Sequence, residues 1–144
     1  MHPRLRAAAA GAVAAIVWGG LEPIDQRLFR HGYSDVAVLG KAFTRGPGWR
    51  PLGFALHAVN GAVFGLAYHE VERRTNRRRL AVELALAEHL VLFSTGKLAD
   101  RYHPARCEPG VERMFSSRAF VQATLRHALF GAVLGRLAAD RPRA

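Results

Sequence analysis

One nine-residue pattern occurs twice in this chain, and it constrains the fold more than any other feature. His57-Ala58-Val59-Asn60-Gly61-Ala62-Val63-Phe64-Gly65 and His127-Ala128-Leu129-Phe130-Gly131-Ala132-Val133-Leu134-Gly135 agree at six of nine positions. In each copy glycines follow the histidine by four and eight residues, which sets all three near one face of a helix. Both copies lie inside apolar runs. The chain therefore reads as a duplicated pair of helices with one histidine at the same place in each.

Four apolar segments fit that duplication: Ala7 to Leu21, Pro51 to Tyr68, Leu80 to Phe93 and Ala119 to Ala139. A helix needs about 20 mostly apolar residues to cross a bilayer core, with about 17 as the lower limit. The second segment meets this, and the first does so with Glu22 at the interface. The third carries Glu83, Glu88 and His89; the fourth carries Gln122, Arg126, His127 and Arg136. A charge at the bilayer centre costs at least about 2.5 kcal/mol, so neither would be read as a span alone. The repeat argues for the fourth, whose copy spans, and the third then pairs with the first.

Two long connectors, Glu22 to Arg50 and Ser94 to Arg118, flank a short basic one, His69 to Arg79. A weaker match, Asp25-Gln26-Arg27 against Asp100-Arg101, points to the same duplication. The expected fold is all-α: four transmembrane helices as two tandem hairpins. They form a single membrane domain over 1–144, with repeats at about 7–70 and about 80–140. In the first long connector, Ser34-Asp35 caps a short helix reaching Phe43. Val36, Leu39 and Phe43 share a face with Lys41 off it, which suits a helix at the membrane surface or one covering the bundle end. Trp49 and Tyr68 bracket the second segment, where interfacial aromatics belong.

Half of the chain is hydrophobic, yet its formal net charge is +10. Two classes combine these properties: membrane proteins with basic loops, and nucleic-acid binders that neutralise phosphates. The distribution favours the membrane, because Arg73, Arg74, Arg77, Arg78 and Arg79 crowd one connector and leave the apolar runs nearly free. Nucleic acid is not an expected partner; a soluble basic helical bundle that binds it is the alternative. Arg4, Arg6, the short connector, Arg141 and Arg143 favour a multi-pass protein of the cell membrane with both termini cytoplasmic. Met1 to Gly20 has the outline of a signal peptide. Its apolar run continues through Ile16, Val17 and Trp18 without a polar cleavage region, so a retained span is expected. A lone cysteine, Cys107, excludes an internal disulfide and a cysteine-based metal cluster.

The candidate functional groups are polar side chains inside spans, which are costly there and tend to face the bundle interior. These are His57, Asn60, Glu83, Glu88, His89, Arg126 and His127. Glu88 and Arg126 are expected to neutralise each other between the third and fourth segments. The paired histidines also admit a membrane b-type haem or redox protein, with His57 and His127 as axial ligands; haem is the one cofactor this pattern suggests. Interhelical hydrogen bonding is the simpler use of these histidines. Gly61 with Gly65, and Gly131 with Gly135, form Gly-x-x-x-Gly, whose use is close helix contact, within the chain or in a homodimer. A di-metal carboxylate site would need Glu-x-x-His on two helices, whereas Glu88 and His89 are adjacent. No nucleophile elbow, P-loop, dinucleotide fingerprint or zinc-protease motif is present. The expectation is a non-enzymatic transport or permeation element, or a membrane scaffold.

Tyr33 to Val36, Thr44-Arg45-Gly46, Leu56 to Gly65 and His127 to Gly135 together give a chain that resembles small bacterial multi-pass membrane proteins of unknown function. The resemblance implies a four-span helical architecture and supplies no active residues.

Overall fold

The structure is a computed structural model, and it describes residues 2–75 and 79–139. Arg77 and Arg78 of the basic connector, and Arg141 and Arg143, lie outside the described residues. The described residues form six helices and no strand: α1 (Pro3–Phe29), α2 (Asp35–Lys41), α3 (Trp49–Glu72), α4 (Leu80–Phe93), α5 (Gly96–Tyr102) and α6 (Ser117–Ala138).

α1 opens on Pro3, whose missing N–H is no loss in a first turn. It continues past Leu21 and through Pro23, which removes one backbone hydrogen bond. Tertiary partners hold the turns beyond. Gln26 donates to the carbonyls of Gly32 and Tyr33, each at 3.1 Å. Arg30 then ends the helix in the left-handed region with φ 48°.

Neighbour pairs set the directions of the long helices. Gly11 meets Gly61 and Ala7 meets Gly65, so α3 runs antiparallel to α1. Asp25 meets Gln122 and Trp18 meets Phe130, so α6 also runs antiparallel to α1. Val82 meets Gly131 and His89 meets Thr124, so α4 and α6 are antiparallel as well. α1 packs on both α3 and α6, α4 packs on α6, and α3 and α4 scarcely touch. The result is a bundle with one open seam, between α3 and α4. Ala10, Ala14, Trp18, Tyr68, Leu80, Ala85, Phe130 and Leu134 fill its core.

Both long connectors gather at one end and lock together. Ser34 donates its N–H to the Gly110 carbonyl at 2.9 Å, Gly32 donates to Glu112 at 2.8 Å, and a ring nitrogen of His103 meets the Val38 carbonyl at 2.9 Å. Ala37, Ala105 and Val111 make a second small core beneath them.

Three sequence expectations change here. α2 is capped by Ser34, which accepts from the Ala37 N–H at 2.9 Å, but it is not a surface helix. Its buried face is Val36, Ala37, Gly40 and Lys41, and it lies on α3 where Gly53 and Gly40 let the two backbones touch. Lys41 turns inward because the other connector supplies Glu108 at 3.2 Å and the Pro109 carbonyl at 2.9 Å, while Phe43 is left exposed. Tyr68, placed at an interface by sequence, is buried in the core with its hydroxyl on Glu72. Asp25 lies on α1 and Asp100 on α5, where Asp100 accepts from the Met114 and Phe115 N–H groups; the weaker sequence match has no structural counterpart. Of the four expected spans, α1 and α3 are long and apolar enough to cross a membrane. α4 has 14 residues, about 21 Å of helix, against a core of about 30 Å, and α6 carries Arg126 at its centre.

Candidate functional site

A buried guanidinium needs counter-charge, and the packing of α6 on α1 decides where it is found. Arg126 is 3% exposed. Its Nε and Nη2 donate to the two oxygens of Asp25, both at 2.5 Å, a bidentate pair. Nη1 donates to Asp35 at 2.9 Å, and Glu22 stands 3.6 Å away. Nη2 also donates to the Tyr33 carbonyl at 3.0 Å, and the Tyr33 ring lies 5.2 Å from the guanidinium. The expected partner, Glu88, takes no part. α4 lies on the other side of α6, and Arg126 faces α1.

Each acid of this cluster has a second task. Glu22 accepts from the Ser34 hydroxyl at 2.5 Å and the Asp35 N–H at 2.7 Å, satisfying donors at the start of α2. Asp25 accepts from Gln122 at 2.7 Å. Asp35 accepts from Trp18 Nε1 at 3.1 Å and from the Tyr33 hydroxyl. Burial alone would raise the Asp35 carboxyl. Only together do the Arg126 charge, His57 and the Tyr33 hydroxyl outweigh it and hold the group below the usual carboxylate range. Burial, then the Asp35 charge, pushes the Tyr33 phenol well above its ordinary value.

Trp18 joins this cluster to the histidines. Its ring stands edge-on to His57 at 5.2 Å and to His127 at 4.7 Å. His89 lies 4.9 Å from His127 and its ring nitrogen meets the Thr124 hydroxyl at 3.0 Å. His127 Nδ1 meets the Ala123 carbonyl at 2.8 Å. His57 is 5% exposed, and its Nε2 is buried without a hydrogen-bond partner.

The seam between α3 and α4 opens into a cavity of about 380 Å³. His57, Asn60, Glu88, His89 and His127 all line it, so five of the polar residues singled out by sequence converge. Arg126 sits behind the wall, represented there by its partner Asp35. Glu83 is exposed on α4, away from the cavity. The cavity is blind: its lining reaches Phe64 and Phe130, beyond which Tyr68, Leu80 and Leu134 are packed solid.

Gly61 and Gly65 meet the α1 backbone at Gly11 and Ala7, leaving no room for a Cβ. Gly131 meets Ala81 and Val82 of α4, and Gly135 is looser, 3.2 Å from the Ala81 side chain. These glycine faces are covered within the chain, so a homodimer would have to use another surface.

No family model, curated protein or solved structure matches the chain. The site is therefore read from its own chemistry. Among the described residues no group of three or more His, Cys, Asp or Glu is arranged to hold a metal ion. An axial haem between His57 and His127 fits poorly, because the Trp18 indole contacts both rings and fills the space a macrocycle needs. What the arrangement offers is a half-open aromatic cleft with acids and imidazoles at its wall, backed by one arginine shared among three carboxylates.

Sequence reasoning missed Trp18, Glu22, Asp25, Tyr33, Asp35 and Gln122 as parts of one site. The available signal was Arg126 itself, since an arginine in an apolar run requires acids. Glu22 and Asp25, at the end of the first apolar run, were candidates as good as Glu88.

Proposed function

We propose that this chain is a multi-pass membrane protein of four helices in two tandem hairpins, whose α3–α4 cleft receives a small solute. One observation carries the reading: the bundle buries ionisable groups and turns apolar side chains outward. Arg126, Glu22, Gln122, His57 and His89 are buried, while Val13, Ile16, Val59, Val63, Leu90, Val91, Val121 and Leu125 stand exposed on the long helices. In water that arrangement leaves broad apolar faces unpartnered; in lipid they are solvated and the ionisable groups are rightly turned inward. The apolar lengths of α1 and α3 support it. The short α4 is accommodated by local thinning of the bilayer or by a shallower second hairpin.

The two halves have the same element order, a long helix, a helix of seven residues and a second long helix, which favours the duplication. Gly61 on Gly11 is echoed by Gly131 on Val82, and His57 against Trp18 by His127 against His89. A cleft that ends blind favours a solute-binding or carrier element over an open pore or a plain scaffold.

Alkaline carbonate extraction of expressing cells tests the reading. The protein is expected in the membrane pellet and in the detergent-soluble fraction. Release into the carbonate supernatant as a folded, monodisperse protein would overturn it.

A further inference from the structure

The ionisable lining of the cleft is two carboxylates and three imidazoles, those of His57, His89 and His127. Asp35 and Glu88 reach it, and no lysine or arginine does. The nearest cation, Arg126, has Nε, Nη1 and Nη2 all engaged by carboxylates or a carbonyl. The Asp35 carboxylate is likewise engaged by Arg126, Trp18 and the Tyr33 hydroxyl. Glu88 is different: it is half-buried in the wall, and among the described residues no hydrogen bond or ion pair reaches it. An acid at such a place keeps its charge most cheaply beside a positive partner, because burying a carboxylate without one is costly.

The rest of the wall says what kind of cation. Trp18, Phe64, Phe93 and Phe130 supply aromatic surface, which attracts a positive charge through the ring quadrupole and also buries apolar groups. The absence of a metal-holding group among the described residues turns the choice away from a bare divalent ion. The volume of about 380 Å³ suits a molecule of roughly ten to fifteen heavy atoms, within the usual range of ligand pockets.

We propose that the α3–α4 cleft binds a small organic cation, a protonated or quaternary amine with an apolar body, with Glu88 as counter-ion and the aromatic wall as its seat. This rests on the reading of the cleft as a solute site. An anion is disfavoured by the two acids, and a neutral apolar solute would leave Glu88 without a partner.

The test uses the full chain in detergent with Trp49→Phe, which leaves Trp18 as the one tryptophan. Benzyltrimethylammonium and phenylmethanesulfonate, similar in shape and opposite in charge, are titrated by calorimetry and by Trp18 fluorescence. The ammonium is expected to bind and perturb Trp18, and the sulfonate to bind at least about tenfold more weakly. Glu88→Gln, checked for native helicity and elution volume, should weaken the ammonium by about tenfold and leave the sulfonate no weaker than before. Equal binding of both probes, or ammonium binding untouched by Glu88→Gln, would overturn the cation assignment while leaving the cleft as a solute site. No heat and no Trp18 response from either probe would overturn the solute site and the cation together. The comparison of the two probes on the parent protein stands even if Glu88→Gln does not fold.

Discussion

At the scale of single residues, Arg126 sets the terms. Its worth lies less in net attraction than in what its removal would leave behind. Without it, Glu22, Asp25 and Asp35 would share a buried space with no cation among them. Breaking a buried pair in this way costs about 3–5 kcal/mol. Arg126→Met is therefore expected to lower stability by about that amount in denaturant unfolding from detergent. Arg126→Lys should recover part of the loss and not all, because an ammonium cannot reproduce the bidentate contact with Asp25. An Arg126→Met protein as stable as the parent would contradict this account of the cluster. Acid should act on the same residues. The Asp35 carboxyl is held below its ordinary range, chiefly by Arg126 against the opposing effect of burial. Its contribution is complete above the unfolded value of about 3.9 and is lost as pH falls through the lowered folded value. Stability should thus drop below about pH 4, and Asp35→Asn should make that drop shallower.

At the scale of helices, small residues decide which faces meet. α3 buries Gly53, His57, Gly61, Gly65 and Tyr68 along one stripe, and α1 answers with Ala7, Gly11, Ala15 and Gly19. At Gly61 a methyl group would run into the Gly11 backbone and the Ala15 side chain, whereas at Gly20 it would meet open space. Gly61→Ala is expected to destabilise by about 1–3 kcal/mol, the usual cost of overpacking. Gly20→Ala should stabilise by about 0.5–1 kcal/mol, through the helix preference alone. Melting temperatures of the two variants check the pair, and equal shifts of one sign would argue against the α1–α3 contact. The histidine and glycine spacing made this stripe readable from sequence. The length of α1 was not readable, because the apolar run stops at Leu21; Gln26 holds the turns beyond it through the Gly32 and Tyr33 carbonyls.

At the scale of the molecule, antiparallel helix pairs put both long connectors at one end and the start of α1 and the end of α6 at the other. Cys107, exposed in the second connector, is a built-in reporter of that arrangement. If the termini face the cytoplasm, a membrane-impermeant maleimide should label Cys107 in intact cells or after outer-membrane permeabilisation, while a C-terminal tag stays protected from added protease. Cys107 protected and the tag cleaved would reverse the orientation. Both reached from one face of sealed vesicles would contradict the hairpin arrangement itself.

The sequence by itself determined the all-helical character, the four apolar segments close to α1, α3, α4 and α6, and the face that each of His57 and His127 shares with its two glycines. Periodicity carries that information, since residues three and four apart share a face whatever the helix packs against. Only the tertiary structure decided who partners Arg126, because a charge in an apolar run states a need and not an address. The pairing of α6 with α1 gave Arg126 to Asp25 and Asp35, and the thin contact between α3 and α4 left Glu88 facing a cleft. Those outcomes depend on which helix faces touch, and a one-dimensional pattern of polar and apolar residues does not contain them.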